Sequence, residues 1–162
     1  MGVAIKRWLG AFAPAPVGVN GREKLFGALG ALLGLFCTEW VARHALGDAS
    51  PWFIAPMGAS AVLLFAAPAS PLAQPWPLMA GNLISALIGV FCAQFIPLPG
   101  VAAAAAVALS IGAMFSLRCL HPPSGAVALT AVLGGPSVAS LGYGFALWPV
   151  ALNSLILLCI AV

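Results

Sequence analysis

The chain has 162 residues, of which 63% are apolar and only 6% charged, whereas a soluble domain carries about 25% charged residues. Its mean hydropathy is +1.13, and so few charged side chains cannot cover the surface of a water-soluble globule. The composition therefore excludes a soluble fold and predicts an all-α, polytopic membrane protein.

The charge balance indicates an orientation in the membrane. The net charge of +3 comes from a basic arm, residues 1–24, in which Lys6, Arg7, Arg22 and Lys24 face only Glu23. Because Lys and Arg are enriched in the cytoplasmic segments of membrane proteins, we expect a cytoplasmic amino terminus in a cell inner (plasma) membrane. The charge is too small and too local for a nucleic-acid surface.

One transmembrane domain, residues 25–162, is predicted after the arm, because a span with its loop takes roughly 25 residues. It is expected to hold six membrane segments, four full spans and two short or broken helices. In chain order they cover 25–46, 52–67, 76–96, 101–117, 126–133 and 145–162. Six crossings put Arg118 and the carboxyl terminus on the cytoplasmic side. If the two short segments re-enter, four helices cross and Arg118 lies outside.

The two halves of this domain, about 25–97 and 98–162, share a layout. Pro56-Met57-Gly58-Ala59 aligns with Pro123-Ser124-Gly125-Ala126 at an offset of 67, and Trp76-Pro77 aligns with Trp148-Pro149 at an offset of 72. Three crossings per half is an odd number, so the second half lies upside down. The layout predicts an inverted repeat with broken helices near the midplane, as in many transporters. The alternative is a chance alignment of apolar helices.

Two Pro/Gly breaks are the candidate binding site, since non-helical backbone in a membrane must be buried or line a wet cavity. Each break is expected to interrupt the apolar run and to open a helix. The first turn of such a helix presents unpaired N–H groups and a partial positive charge, which suit an anion. The candidate residues are Pro56, Gly58, Ala59 and Ser60 at the first break and His121, Pro122, Pro123, Ser124 and Gly125 at the second. The alternative is a kink that only packs helices.

Four ionisable residues are further candidates. Arg118 is expected to attract an anion, and His121 to donate a hydrogen bond or carry a proton. Alternatively, Arg118 reaches lipid headgroups and His121 caps a carbonyl. Glu39 and Arg43, four residues apart with the acid first, predict a structural helical pair, with proton coupling by Glu39 as the alternative. So few acids argue against a cation path or a metal site.

Small and polar residues inside the helices are interpreted as packing features. Asn82 and Asn153 are expected to form interhelical hydrogen bonds, with substrate contact as the alternative. A small pore-forming subunit predicts a homodimer or higher homo-oligomer, packed through faces such as Gly27, Gly30 and Gly34. The cysteines are interpreted as small apolar side chains, at Cys37, Cys92, Cys119 and Cys159.

Three stretches carry a family resemblance. His121-Pro122-Pro123-Ser124-Gly125-Ala126 resembles the signature of the HPP family of integral membrane proteins, and the stretches 56–65 and 81–89 are similar to that family too. The resemblance covers nearly everything after residue 25. It implies transport, and because family members in plastids and photosynthetic bacteria include nitrite transporters, it implies nitrite or a similar small anion. The residues alone indicate only an anion.

The predicted function is therefore transport of a small monovalent anion, nitrite first, bound where two helix N-termini face each other near the midplane. No cofactor is expected. The alternatives are a haem or other cofactor, held by His44 and His121, and a structural subunit in which Arg118 and His121 tolerate alanine. An enzyme is not expected, because no serine–histidine–acid or paired-carboxylate set occurs.

Overall fold

The computed structural model describes residues 18–46 and 54–162, together with Gly10. Within these ranges the chain is helical and contains no strand, which confirms the all-α prediction. The described α-helices are α1 (Gly21–Leu46), α2 (Ile54–Ala66), α3 (Pro75–Phe95), α4 (Pro99–Ser116), α5 (Ser124–Leu133), α6 (Pro136–Leu141) and α7 (Leu152–Ala161). A 3₁₀ turn, Pro71–Ala73, precedes α3, and a π-helix, Ala146–Ala151, leads into α7.

Three helices are long and apolar enough to cross a membrane by length and composition. They are Gly21–Val41 within α1, Pro75–Phe95 and Pro99–Ser116. The apolar helices Ala55–Ala66, Ser124–Leu133 and Ala146–Ala161 are shorter. The last segment, predicted as one full span over 145–162, is not one regular helix. Its backbone leaves helical geometry at Trp148, where φ is −129° and ψ is 107°. Pro149 causes this, since proline lacks an N–H and pushes the preceding residue toward extended backbone.

The break predicted at Pro56 is not observed. Among the described residues α2 is continuous from Ile54 to Ala66. Pro56 therefore does not interrupt the helix. The predicted stop at 47–51 and most of the basic arm, including Lys6 and Arg7, lie outside the described residues.

Helix α3 packs backbone to backbone against α5. A Cβ at Gly89 would lie 2.6 Å from the Cβ of Ala131 and 2.8 Å from the carbonyl oxygen of Ala128. Gly81, two turns earlier, lies against Ser124 at the start of α5. The contacts advance in the same direction along both helices, so α3 and α5 run parallel.

The other neighbours of α3 run the opposite way. Helix α4 follows after the short turn 96–98, and the indole N–H of Trp76 donates to the carbonyl of Leu117 at 3.2 Å. In the last segment, Gly142 lies near Gln94, whereas Ser154 lies beside Asn82. Both α4 and the segment 146–161 are therefore antiparallel to α3.

The glycine face of α1 is filled from within the chain. A Cβ at Gly27 would lie 2.8 Å from the carbonyl oxygen of Phe65, and one at Gly30 would lie 2.6 Å from its ring. At Gly34 the nearest atom belongs to Leu157 of α7. The expectation that this face packs a second copy is wrong, because the aromatic side chain of α2 occupies it. The opposite face of α1 exposes large apolar side chains, as lipid contact requires, at Leu25, Phe26, Leu29, Leu32, Leu33, Phe36 and Trp40.

Candidate functional site

His121 joins three parts of the fold by hydrogen bonds. Its Nε2 atom lies 3.0 Å from the hydroxyl oxygen of Ser60 on α2, and its Nδ1 atom lies 2.9 Å from the carbonyl oxygen of Leu72, in the turn before α3. A carbonyl can only accept, so neutral His121 carries its proton on Nδ1 and accepts the Ser60 hydroxyl proton at Nε2. Ser60 and His121 are both fully buried.

Asn82, on α3, joins two further helices. Its side-chain oxygen accepts a hydrogen bond from the Ser124 hydroxyl at 2.8 Å, at the start of α5. Its Nδ2 group donates to the Ser154 hydroxyl oxygen at 2.9 Å, on α7. Ser154 in turn donates to the carbonyl of Val150 at 2.8 Å. The interhelical role predicted for Asn82 is confirmed. We call Ser60, Asn82, His121, Ser124 and Ser154 the polar network.

Gly81 brings the two parts of the polar network side by side. A Cβ there would lie 2.9 Å from the Cβ of His121, 2.9 Å from the hydroxyl oxygen of Ser124 and 3.0 Å from the carbonyl oxygen of Cys119. Only glycine lets α3 approach the break at 117–123 this closely. The site is thus built by a helix–helix contact as much as by the break itself.

The free amides predicted at the breaks are not present. In α5 the N–H groups of Ser124, Gly125 and Ala126 donate to the three preceding carbonyls, at 2.9, 3.1 and 3.0 Å, because a tight 3₁₀-type turn starts the helix. Gly58 to Ser60 are the fifth to seventh residues of α2, beyond the four N–H groups that a helix leaves unpaired. An anion cradle of main-chain N–H groups is therefore wrong at these positions. The hydrogen-bonding groups of the site are side chains.

The remaining candidates at the breaks are not gathered around His121. Pro56 and Pro123 are buried, Gly58 and Gly125 are half-buried, and Ala59 and Pro122 are exposed. Arg118 is exposed and has a φ of 53°, a left-handed conformation in which the chain turns from α4 into the break. Its side chain therefore lies at the surface near the break rather than in the network.

The predicted pair on α1 forms at the surface. The Nη2 and Nε atoms of Arg43 lie 2.6 and 2.9 Å from Oε1 of Glu39. The side chain of Arg43 is 63% exposed and that of Glu39 is 31% exposed. His44 is exposed, and its Nδ1 atom lies 2.7 Å from the carbonyl oxygen of Trp40. Since both nitrogens of His121 are hydrogen-bonded, His121 offers no free nitrogen to a haem iron. Among the described residues no group of three His, Cys, Asp or Glu side chains could hold a metal ion.

The buried interior of the described chain is uncharged. Its ten buried polar side chains are hydroxyl or amide groups, together with His121, which is neutral in the hydrogen bonds given above. They are Thr38, Ser60, Asn82, Ser85, Ser110, His121, Ser124, Thr130, Asn153 and Ser154. The charged side chains in the described ranges all lie outside it, at Arg22, Glu23, Lys24, Glu39, Arg43 and Arg118. The buried interior of the described chain can therefore offer a ligand hydrogen bonds but no fixed charge.

Three buried polar residues of the described ranges are incompletely bonded. The hydroxyl oxygens of Ser85 and Ser110 and both amide atoms of Asn153 have no hydrogen-bond partner. The interhelical bond predicted for Asn153 is therefore wrong. Ser85, Ser110 and Ser154 were not among the candidate residues predicted from the sequence. A signal was available for Ser85, which lies four residues from both Gly81 and Gly89 and so shares their close-packed face.

A family comparison matches this architecture. The family model described as "HPP, transmembrane region" matches residues 16–162. The chain belongs to the HPP transmembrane family. The HPP signature at 121–126 is the stretch that supplies His121 and Ser124 to the polar network. The description of the family agrees with the long apolar helices of this chain, which indicate a membrane protein.

Two similar proteins are named transmembrane proteins of Dictyostelium discoideum. One is 32% identical over 161 residues, covering 96% of this chain and 51% of the relative. The other is 38% identical over 123 residues, covering 74% of this chain and 43% of the relative. The chain thus spans about half the length of these relatives or less. No solved structure matches it.

Proposed function

We propose that this HPP protein transports a small monovalent anion, nitrite first, and that the polar network forms part of its path. The observation that carries the proposal is a fully buried, hydrogen-bonded set of polar side chains, contributed by α2, α3, α5, α7 and the break. Polar side chains are costly inside a membrane protein and mark solute pathways. The transporter-like character of the family supports the same conclusion.

The helix directions support six crossings. Helices α3 and α5 run opposite to α4 and the segment 146–161. We propose that α1 and α2 continue this alternation, so that short elements complete the bundle beside three long helices. The carboxyl terminus, Arg118 and the start of α1 then share one side, and the basic arm favours the cytoplasm for it. Asn82 and Ser154, which correspond at the offset of 72, are hydrogen-bonded, as an inverted repeat with a central axis would allow.

We assign the cytoplasmic entrance to Arg118 and a gate to His121. Arg118 is exposed beside the break, where its fixed charge raises the local concentration of anions. His121 lies against Gly81, the seventh residue of α3, so it is about 9 Å in from the start of that helix. Its bonds to Ser60 and Leu72 close the space between α2 and the break, and passage requires the imidazole to exchange at least one of them for a hydrogen bond to the solute, a contact that alanine cannot make. The other HPP break residues shape this constriction.

Nitrite uptake into liposomes tests the proposal. We expect wild-type protein to take up nitrite, His121→Ala to lose most of the uptake, and Arg118→Ala to reduce it, more at low than at high ionic strength. Thr130→Ala is the matched control, because the Thr130 hydroxyl bonds only to the carbonyl of Ala126 in its own helix. Measurement with and without a pH gradient shows whether protons are coupled.

Two results would overturn the proposal. Folded wild-type protein that moves no nitrite removes nitrite as the substrate. Uptake that survives in His121→Ala at the level of Thr130→Ala removes the gate and makes the polar network structural.

A further inference from the structure

The unpartnered polar groups lie at one depth of the bundle. Ser85 is the eleventh of the 21 residues of α3 and marks its middle. Asn153 precedes Ser154, which is bonded to Asn82, three residues before Ser85. Ser110 is seven residues before Leu117, whose carbonyl bonds to Trp76 near the start of α3. At 1.5 Å per residue, these anchors put the three groups within about 5 Å of one another in depth.

We call Ser85, Ser110 and Asn153 the mid-depth layer. All three side chains are fully buried, and four of their hydrogen-bonding atoms have no protein partner. An unpaired polar group at this depth costs free energy that no contact in the described chain offsets. Groups left unpaired in the middle of a transport path are suited to bind the solute that crosses it.

We infer that the substrate crosses the mid-depth layer as the neutral conjugate acid of the small anion, and that the Asn153 amide binds it. This inference rests on the proposed transport function. The Oδ1 atom of Asn153 accepts the O–H of the acid, and its Nδ2 group donates to the other oxygen of the acid. A carboxamide suits such an acid because each has one donor and one acceptor in this arrangement.

A bare anion fits the layer poorly. It has acceptors only, so it would satisfy Nδ2 of Asn153 and leave Oδ1 unpaired. No buried charge in the described ranges compensates it, and an uncompensated ion in a low-dielectric interior costs far more than its neutral acid. The proton balance is simple: the anion takes one proton from water at one face and returns it to water at the other. One proton moves with each anion, and no net charge crosses.

The titratable groups of the surrounding elements do not supply a charge to this layer. On α1, Glu39 and Arg43 are paired with each other near the surface. In the break, both nitrogens of His121 are bonded to neutral groups, and Arg118 is exposed. Arg22, Glu23 and Lys24 are exposed at the start of α1. The remaining groups, which are thiols and two exposed rings, are Cys37, His44, Cys92, Cys119, Tyr143 and Cys159.

The test follows protons and nitrite together in proteoliposomes. Vesicles enclose a pH-sensitive dye, a potassium gradient with valinomycin sets the membrane potential, and protein-free vesicles measure passive diffusion of the acid. We expect nitrite uptake with one proton entering per nitrite, a rate that rises as the external pH falls, and no response to the membrane potential. Uptake that follows the potential without acidifying the interior would overturn the inference while leaving nitrite transport intact. No uptake by folded protein overturns both.

Asn153 has its own test. Asn153→Leu removes both amide atoms at similar volume, and we expect at least a tenfold slower uptake. Leu155→Ala is the control on the same helix, because Leu155 is exposed and should leave uptake unchanged. Thermal unfolding in detergent checks that both variants fold. A folded Asn153→Leu protein that transports as fast as Leu155→Ala would remove Asn153 from the binding site.

Discussion

Replacing Gly81 by alanine tests the contact that builds the site. The new methyl group would lie 2.9–3.0 Å from His121, Ser124 and Cys119, closer than van der Waals contact allows, so α3 and the break must separate by roughly half an ångström. None of these neighbours moves freely, because Cys119 presents a backbone carbonyl and the other two side chains are hydrogen-bonded. The shift would also stretch the bond from Ser124 to Asn82.

Two opposing terms set the expected magnitude. Alanine is better than glycine in a helix by about 0.5–1 kcal/mol, whereas overpacking costs about 1–3 kcal/mol. We therefore expect Gly81→Ala to lower the free energy of unfolding by about 1–2 kcal/mol. Gly112→Ala is the matched control, since a Cβ on Gly112 of α4 meets nothing within 4 Å, and it should be neutral or slightly stabilising.

Unfolding by dodecyl sulfate in mixed micelles, followed by far-ultraviolet circular dichroism, measures both variants. Nitrite uptake should fall in Gly81→Ala, because the altered contact holds His121 and Asn82 in place. If Gly81→Ala is as stable as Gly112→Ala and transports equally well, the close approach of α3 to the break does not build the site, and the reasoning is refuted.

Three further predictions use the same unfolding assay. Asn82→Ala removes two interhelical hydrogen bonds, each worth about 0.6 and at most about 1.7 kcal/mol in membrane proteins, so it should destabilise the fold more than Thr130→Ala does; equal values would contradict this. Phe65→Ala removes the ring that packs on the glycine face of α1, and it should lower the free energy of unfolding by about 2 kcal/mol. This is less than for a fully buried phenylalanine, because Phe65 is only half-buried. An unchanged stability would show that the ring does not hold α1 to α2. Glu39→Gln breaks an exposed pair worth about 0–1 kcal/mol, and a change that exceeds this range or abolishes uptake would favour the coupling role.

The sequence was informative where a feature is local. Apolar run lengths identified the long helices, since a helix needs about 20 apolar residues to cross the hydrocarbon. The end of α4 at Ser116 lies within a residue of the predicted end at 117, ahead of the second break. Proline alone did not identify the kind of break. Pro56 lies in the first described turn of α2 and breaks nothing, whereas Pro149 divides the last segment. The difference depends on where the neighbouring backbone starts a helix, which composition does not reveal.

The site was less predictable, because its contacts join distant positions. Ser60 and His121 are 61 residues apart, and Asn82 and Ser154 are 72 apart. No local pattern indicates which buried serine meets which partner. The glycine face of α1 shows the same difficulty, since small residues permit any close neighbour, and here the neighbour is Phe65 of the same chain. These pairings are decided by how the helices pack, which cannot be read directly from the sequence.

At the second break the interhelical hydrogen bonds are made by side chains, whereas the main-chain amides that start α5 are already paired. In α5 the first N–H groups already donate hydrogen bonds within the tight turn. A free helix N-terminus offers such groups to a ligand, but this one does not. The same turn puts His121 and Ser124 on the side of the chain that meets Gly81, and there both become hydrogen-bonded across helices. An anion held by free amides would need the turn to unwind. A solute that exchanges hydrogen bonds with neutral side chains needs only the rotation of hydroxyl, amide and imidazole groups, which is the smaller change.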